Sequence, residues 1–277
     1  MSAAGGTFDV AGVSIPKLGL GTFDMDGEAA VVAVSEGLKA GYRHVDTAEM
    51  YGNERAVGEG IRASGLPRED VFVTTKVWHD HLTDHAMQSA AEASLDRLGV
   101  GQVDLYLIHW PSPDVPVAEA VRALCRIRHR GLARAVGVSN FPAALVEEAV
   151  AAADVELAVN QVEYHPYLDQ DPVLSAVRRN GMGLIAYCPI ARGKVLRDET
   201  IVGIAERHGV SPVAVTLAWL IAQDGVIAIP KSRSPQRLRE NFAAATLTLT
   251  TEEHAAIDAL RSPSGRLIDP DFAPAWD

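Results

Sequence analysis

Residues 41–54 read GYRHVDTAEMYGNE. The apolar residues that lead to Asp46 predict a buried strand, and the glycine and asparagine after Tyr51 predict a tight turn. A strand end holds its acid in a fixed place, and the turn can fold the tyrosine back toward it. A phenol has a reference pKa of ~10, and a nearby cation is the simplest means of stabilising its ionised form. We therefore expect a lysine close by, and the next predicted strand ends in Lys76.

The composition bounds the class of protein. The chain has 277 residues, of which 48% are hydrophobic, so it can bury a large core. Its formal net charge of -11 argues against a nucleic-acid or anionic-membrane binder, because no sequence-wide basic field exists. No signal peptide and no apolar run of membrane-spanning length is recognisable. Cys125 and Cys188 have no metal-ligand spacing and are typical of reduced thiols, which predicts a cytoplasmic location.

Short apolar strands alternate with helical segments along the chain. A hairpin is predicted over residues 7–16, with its turn at Ala11-Gly12. Eight further strands are predicted at 17–21, 42–46, 71–76, 103–109, 133–138, 157–162, 183–187 and 225–229. Helices are predicted over 27–40 and 84–98, the second with Thr83 as its N-cap. Further helix starts are predicted at Ser211 and Ser234, and a capping box of Thr250 with Glu253 begins a helix to Leu260.

Eight strands alternating with helices in an unbroken chain predict a single α/β domain over residues 1–277, a (β/α)8 TIM barrel. The hairpin within residues 1–16 is expected to cover the strand-start face, and the loops on the opposite face are short. A proline-rich tail follows at 262–277. The alternative is a doubly wound sheet, but that fold needs a glycine-rich fingerprint, and residues 19–24 lack its third glycine.

Polar side chains follow seven of the eight predicted barrel strands. In a TIM barrel the active site lies at the carboxyl ends of the strands, so these side chains are expected to converge. Any one of them could be a turn residue or a hydrogen-bonded core residue, and their shared placement carries the inference. They are Asp46, Lys76, His109, Ser139, Asn140, Gln161, Tyr187, Lys231 and Ser232.

Several short motifs occur in an order that resembles the aldo-keto reductase family. They are GLGTF at 19–23, DTA at 46–48, YGNE at 51–54, Lys76, IHW at 108–110, GVSNF at 137–141, NQVEYHP at 160–166 and IPKS at 229–232. The compact size, the turn WPSP at 110–113 and the ending PAWD are most similar to the prokaryotic 2,5-diketo-gluconate reductase branch. The resemblance implies an NADP(H)-dependent oxidoreductase that reduces aldehydes or ketones to alcohols.

The resemblance also assigns catalytic roles. Tyr51 is implied as the general acid, which gives its proton to the carbonyl oxygen as hydride arrives from the nicotinamide. Lys76, paired with Asp46, is expected to lower the pKa of the phenol. His109 is expected to be neutral and to donate a hydrogen bond that orients the carbonyl. No metal is required by this chemistry.

A cofactor site follows from the family pattern and from charge. The pattern implies Tyr187 stacked on the nicotinamide, Ser139, Asn140 and Gln161 at its carboxamide, Thr22 and Asp46 also at the cofactor, and Glu240 and Asn241 at the adenine. Lys231, Ser232, Arg233 and Arg237 surround the predicted helix start at Pro235, where backbone N–H groups favour an anion. In a chain of net charge -11, this local cation cluster favours NADPH over NADH, because only NADPH carries the 2′-phosphate. The alternative is a solvated helix face that also includes Arg239.

The substrate is expected to be a small aldehyde, ketoaldehyde or keto-sugar. An apolar cup above the nicotinamide is predicted from Phe23, Met50, Trp78, Trp110 and Trp276. The sequence departs from the usual family pattern at Cys188 and at residues 191–194, so the contacts of the loop 188–198 with the pyrophosphate stay open. Arg192 and Lys194 could serve as cations there. Most members of the family are monomers, and we expect a monomer here.

Two other classes of protein use similar residues. A barrel with a strand-end lysine could be a Schiff-base aldolase, in which Lys76 attacks a carbonyl. The nearby Asp46 argues against this, since a carboxylate keeps the lysine charged. A non-catalytic subunit that senses its cofactor is the other alternative, and no apolar stretch in the sequence demands the partner surface that it needs.

Overall fold

The structure is a computed structural model, and residues 5–277 are described. The first four residues of the predicted hairpin segment 1–16 lie outside the described part. In that part the chain forms a two-stranded hairpin, an eight-stranded parallel sheet and the helices that surround this sheet. The predicted (β/α)8 TIM barrel is confirmed.

The strands lie close to their predicted positions. The hairpin consists of β1 (Thr7–Val10) and β2 (Val13–Pro16), which are antiparallel. The barrel strands are β3 (Leu20–Gly21), β4 (His44–Asp46), β5 (Phe72–Val77), β6 (Val103–Ile108), β7 (Ala133–Ser139), β8 (Leu157–Glu163), β9 (Gly183–Tyr187) and β10 (Val226–Ala228).

Main-chain hydrogen bonds close the barrel between its first and last strands. The Ala228 N–H donates to the carbonyl of Lys17, and the Gly19 N–H donates to the carbonyl of Ala228. Leu18 and Ala228 form a parallel bridge. Of the predicted first strand, 17–21, only Leu20 and Gly21 pair with β4. The first half of this segment pairs with the end of β10 instead.

The helices are α1 (Gly27–Ala40), α2 (Glu54–Ala63), α3 (Asp84–Leu98), α4 (Val117–His129), α5 (Ala143–Ala152), α6 (Asp171–Arg179), α7 (Glu199–His208), α8 (Pro212–Ala222), α9 (Pro235–Phe242) and α10 (Thr251–Asp258). The predicted helices 27–40 and 84–98 are confirmed. The last predicted helix ends at Asp258 rather than Leu260.

Side-chain caps begin three of these helices as the sequence predicts. The Ser211 hydroxyl accepts from the Ala214 N–H at 3.1 Å, and the Ser234 hydroxyl accepts from the Arg237 N–H at 3.4 Å. Thr250 and Glu253 form the complete capping box. Thr83 is the N-cap residue of α3, as predicted, although its side chain makes no capping hydrogen bond.

The hairpin covers the strand-start face of the barrel. Ile15 is fully buried and packs with Phe72, Leu105 and other side chains of the barrel interior. The Phe8 ring lies so close to Gly183 that a Cβ there would meet it at 2.7 Å. The hairpin therefore excludes water from one end of the barrel, and the functional groups gather at the other end. No helix within residues 5–277 has both the length and the apolar character needed to cross a membrane.

Candidate active site

A buried lysine forms the floor of the candidate site. Lys76 lies on β5 beside β4, and its ammonium donates to the Asp46 carboxylate at 2.6 Å and to the Thr47 carbonyl at 2.8 Å. The Lys76 side chain has no solvent exposure and that of Asp46 has only 1%. Burial alone lowers the pKa of Lys76, but the charges of Asp46 and Tyr51 outweigh it and raise that pKa. Lys76 is therefore a stable cation.

A short turn delivers the tyrosine to this cation. The chain turns at Glu49–Tyr51, and Gly52 takes a left-handed φ of 65° that a glycine adopts without strain. Asn53 fixes the turn, because its amide donates to the carbonyls of Thr22 and Met25, both at 2.8 Å. The Lys76 ammonium then lies 3.3 Å from the Tyr51 hydroxyl. The predicted proximity of acid, lysine and phenol is present in the structure.

The net pKa of Tyr51 differs in direction from the expectation. Burial raises the pKa of the phenol, the Lys76 charge lowers it, and the Asp46 charge raises it, with burial the largest contribution. Lys76 acts in the predicted direction, but the net pKa is raised because the site is dry. Tyr51 therefore holds its proton at neutral pH in this structure.

His109 stands beside the phenol. Its ring centre lies 5.6 Å from that of Tyr51, and the residue is 7% exposed. Burial and the nearby Lys76 charge hold the pKa of His109 well below its ordinary value, which agrees with the expectation of a neutral imidazole. Among residues 5–277 its Nδ1 finds no hydrogen-bond partner. Because Nδ1 is also buried from solvent, Nε2 is the ring nitrogen that can reach a ligand.

These groups open into a cleft of about 410 Å³. The predicted site residues that line this cleft are Thr22, Phe23, Asp46, Met50, Tyr51, His109, Trp110, Asn140, Gln161, Tyr187 and Lys231. Lys76 and Ser139 lie beneath its surface and are fully buried. The structure therefore brings together side chains from both the predicted catalytic set and the predicted cofactor set.

The residues predicted at the nicotinamide form one hydrogen-bonded chain. The Tyr187 hydroxyl donates to Asn140 Oδ1 at 2.7 Å, and the Asn140 amide donates to the His109 carbonyl at 2.9 Å. The Asn140 N–H donates to the Gln161 carbonyl at 2.9 Å, and the Gln161 amide donates to Asp46 Oδ2 at 2.7 Å. Asn140 has a left-handed φ of 62°, a conformation that asparagine tolerates better than most residues. This chain connects the wall of the cleft to the carboxylate at its floor.

The predicted phosphate cluster is only partly directed at the cleft. Lys231 Nζ lies 3.3 Å from Asp24 Oδ2, and the Arg233 guanidinium lies 3.4 Å from the same oxygen. Ser232 is buried, Arg237 and Glu240 are exposed on α9, and Asn241 is 7% exposed. Sequence reasoning missed Asp24, an acid that lines the cleft and pairs with two cations of the predicted phosphate cluster.

The predicted apolar cup divides into two groups. Phe23, Met50 and Trp110 line the cleft, whereas Trp78 and Trp276 are partly exposed and lie outside its lining. The Trp78 ring centre lies 5.1 Å from that of His109, and Trp276 lies 6.0 Å from Trp110. The two outer tryptophans therefore support lining residues and do not form the surface of the cleft.

The cleft is also lined by residues outside the predicted catalytic, cofactor and substrate sets, although Cys188 and Arg192 belong to the loop 188–198 considered above. The loop after β9 contributes Cys188, Pro189, Ile190 and Arg192, and the tail contributes Ile268. Lys194 instead lies over the ring of Tyr167, 3.8 Å from its centre, so it does not share the rim position of Arg192. The Phe272 ring packs between Trp78 and Trp110, at 5.8 and 5.6 Å. An irregular tail has no periodicity from which such contacts could be predicted.

A family comparison agrees with this geometry. The model of the aldo/keto reductase family matches residues 17–262. The chain belongs to the aldo/keto reductase family. This aldo/keto reductase is 41% identical to the methylglyoxal reductase DkgB of Salmonella typhi over 269 residues, which cover 96% of this chain and all of that protein. It is therefore an oxidoreductase that acts on carbonyl groups.

Solved structures of similar proteins place the aldo/keto reductase more finely. A crystal structure provisionally named 2,5-diketo-D-gluconic acid reductase B has a TM-score of 0.96 and 47% identity, and covers 98% of this chain and 97% of its own. The predicted resemblance to that prokaryotic branch is confirmed. A Bombyx mori aldo-keto reductase crystallised with NADP has a TM-score of 0.89 and 32% identity, covering 99% of this chain and 100% of its own.

Proposed function

We propose that the protein uses NADPH to reduce small aldehydes, ketoaldehydes or keto-sugars to alcohols. One observation carries the proposal. A buried lysine lies 2.6 Å from the Asp46 carboxylate and 3.3 Å from the Tyr51 hydroxyl, at the floor of a cleft that His109 also lines. This arrangement suits the transfer of a proton to a carbonyl oxygen, because the phenol stays protonated until a charge develops beside it.

The protein groups would act on the oxygen of the substrate. The Tyr51 hydroxyl donates its proton to this oxygen, a contribution of about 10²–10⁴ in rate for a well-placed acid. The Lys76 ammonium stabilises the phenolate that remains, and Asp46 keeps that ammonium charged and in place. The neutral His109 donates from Nε2 to the same oxygen and fixes its direction. When bound, NADPH supplies the hydride to the carbonyl carbon.

The wall of the cleft fits a nicotinamide. Tyr187, Asn140 and Gln161 line one side of it, and hydrogen bonds join Tyr187 to Asn140, Asn140 to Gln161 and Gln161 to Asp46. Asn140 and Gln161 offer the amide chemistry that a carboxamide requires, and Ser139 orients Asn140 from below at 3.1 Å. Thr22 lies beside Asp46 and donates to its carbonyl at 2.9 Å. We assign Lys231, Ser232, Arg233 and Arg237 to the 2′-phosphate, and Glu240 and Asn241 to the adenine.

The substrate would lie between Phe23, Met50 and Trp110. These side chains give the cleft an apolar wall, and three members of the tetrad of Asp46, Tyr51, Lys76 and His109 line the same cleft, with Lys76 buried beneath them. The similarity to a methylglyoxal reductase and to a protein named as a diketo-gluconic acid reductase supports small dicarbonyl or keto-sugar substrates. We propose that the chain acts as a monomer, because one chain supplies all four members of the tetrad, and that it is cytoplasmic, because Cys125 and Cys188 are free thiols.

The test is a spectrophotometric assay of NADPH oxidation with methylglyoxal, diketo-gluconate, an aromatic aldehyde and a simple ketone. We expect turnover with at least one dicarbonyl and a lower rate when NADH replaces NADPH. For a Tyr51→Phe variant in this assay, Tyr164→Phe is the matched control, because the buried Tyr164 hydroxyl bonds Gln223 outside the cleft. An absence of NADPH oxidation with every carbonyl would contradict the proposal.

The Schiff-base alternative has no supporting contact. A nucleophilic lysine must lose its proton, whereas Asp46 and Tyr51 raise the pKa of Lys76. Borohydride treatment in the presence of a keto substrate is expected to leave Lys76 unmodified, and a trapped adduct at Lys76 would revive the aldolase assignment. The cofactor-sensing alternative predicts tight NADPH binding without turnover, which the same assay measures.

A further inference from the structure

Glu163 is a motif residue that the proposed chemistry does not use. It ends β8, two residues beyond Gln161, so the two side chains leave the strand on the same face. The Glu163 side chain has no solvent exposure. A buried carboxylate is costly unless its oxygens accept hydrogen bonds. The position of those donors therefore indicates what Glu163 does.

The donors come mainly from the C-terminal tail. The Leu267 N–H lies 2.9 Å from Oε1 and 3.1 Å from Oε2 of Glu163, and the Ile268 N–H donates to Oε2 at 2.9 Å. On the other side, the His165 ring lies 2.9 Å from Oε1. Burial lowers the pKa of Arg266, and the Glu163 charge is the leading influence that opposes this. Both carboxylate oxygens are thus committed to the segment that follows residue 265.

Apart from its contacts with Glu163, the tail is joined to the barrel at its start by backbone hydrogen bonds of Ser262. The Asp277 carboxylate accepts from the Ala143 N–H at 2.6 Å, at the far end of the segment. Between these two contacts the tail is irregular, and the Trp276 ring stacks on the Arg266 guanidinium at 3.5 Å. Terminal segments are poorly ordered unless something ties them down. Glu163 is the buried tie nearest the cleft.

The tied segment shapes the cleft. Ile268, whose N–H bonds Glu163, lines the cleft. Phe272 packs against Trp78 at 5.8 Å, and Trp78 packs against His109 at 5.1 Å between ring centres. The path from Glu163 through the tail therefore ends at the wall that faces the substrate and at the ring that orients it.

We propose that Glu163 is a positioning residue that holds the C-terminal tail over the cleft and so sets the size of carbonyl substrate that the enzyme accepts. The inference rests on the proposed function. A purely structural carboxylate would change the stability of the barrel but not the ratio of activities on small and bulky substrates. A carboxylate that acts through the tail changes this ratio and the exposure of the tail together.

The first test compares Glu163→Gln with Glu253→Gln. Glu253 is a matched control, because it is also a buried carboxylate that accepts from a backbone N–H, at 3.0 Å from Thr250, but on α10 away from the cleft. In Glu163→Gln one oxygen acceptor becomes a donor that opposes the tail N–H groups. We expect the ratio of kcat/KM for a bulky aromatic aldehyde to that for methylglyoxal to change by about tenfold, mostly through KM. The Glu253→Gln variant should keep the ratio of the native enzyme.

Amide hydrogen exchange gives a readout that does not need turnover. Exchange at Leu267 and Ile268 should accelerate in Glu163→Gln, while exchange in β5 and β6 stays as in the native chain. If the native protein reduced no carbonyl, the proposed function would fail, and the exchange data would still decide whether Glu163 holds the tail. Unchanged exchange at both amides would overturn the inference.

A second variant reaches the same contact from the tail. Leu267→Pro removes one of the two tail N–H groups that donate to Glu163 and leaves the carboxylate intact. It should reproduce the substrate ratio of Glu163→Gln, and the two changes together should cost little more than either alone. A native ratio in Leu267→Pro, or additive effects in the double variant, would show that Glu163 does not act through the tail.

Discussion

The ammonium of Lys76 lies 2.6 Å from the carboxylate of Asp46, and both side chains are sealed from solvent. The ammonium of this ion pair also contacts the Tyr51 hydroxyl, at 3.3 Å. In a dry site a lysine keeps its charge only beside such a partner, and only a charged lysine can stabilise a phenolate. The two roles of the pair, in stability and in chemistry, can be separated by substitution.

Lys76→Met should reduce both the stability of the fold and the carbonyl-reducing activity. Removal of the cation leaves Asp46 buried without its ion-pair partner, a loss of about 3–5 kcal/mol in the free energy of unfolding. The double variant Lys76→Met with Asp46→Asn should regain much of that stability, because the orphan charge is gone, but it should remain inactive. Urea unfolding and the NADPH assay measure the two quantities. A double variant as unstable as the single one would contradict the account of the pair.

Tyr51→Phe should remove nearly all carbonyl reduction, by a factor on the order of 10²–10⁴, and leave NADPH binding close to that of the native chain. Only the proton donor is lost, and the ring remains to pack against Phe23 at 5.1 Å. Steady-state kinetics and fluorescence titration with NADPH check the two parts. A variant that kept most of its turnover would exclude Tyr51 as the acid.

His109 should make the stability sensitive to acid. Its pKa in the folded chain lies well below its ordinary 6.5, so the unfolded chain binds the additional proton below that pH. The free energy of unfolding should therefore fall as the pH drops below 6.5 and should not depend on this group above it. His109→Gln should flatten part of the fall, the remainder including His44, whose pKa is also lowered by burial. Parallel curves for the two proteins over about pH 5 to 8 would exclude this origin.

Arg237→Ala should weaken the binding of NADPH on the order of tenfold, and that of NADH far less, because the proposed partner of Arg237 is the 2′-phosphate. The control is Arg239→Ala, which removes an exposed arginine from the same helix. Titration of each variant with both cofactors gives the comparison. Equal weakening of NADPH and NADH by Arg237→Ala would remove this role.

Asp24→Ala should increase the affinity for NADPH severalfold. Asp24 lies 3.3 Å from Lys231 and 3.4 Å from Arg233, so its carboxylate competes with a phosphate for both cations. The gain should shrink as salt is added, because these groups are exposed and screened. Asp26→Ala, which removes a nearby exposed acid, should leave the affinity unchanged. A weaker affinity for NADPH in Asp24→Ala would mean that the acid helps to bind the cofactor.

The strand ends could be predicted from sequence because their signal is local. Apolar runs that stop at a polar residue put Asp46, Lys76 and Gln161 at one rim, and barrel geometry then makes them neighbours. The relation of Glu163 to Leu267 has no such signal, since two segments far apart in the chain meet there through backbone N–H groups. The pKa of Tyr51 illustrates another limit. The sequence identifies the lysine that lowers it, but only the packing reveals that burial is the larger effect.

The bonds between Lys17 and Ala228 join segments near opposite ends of the chain. During synthesis the ribosome releases the N-terminal strand long before its final neighbour exists, so a nascent chain carries an unpaired strand edge for most of translation. Such an edge can pair wrongly with other chains. Closure of the barrel is therefore a late event, and the yield of folded protein should depend on protection of the nascent chain until β10 has emerged.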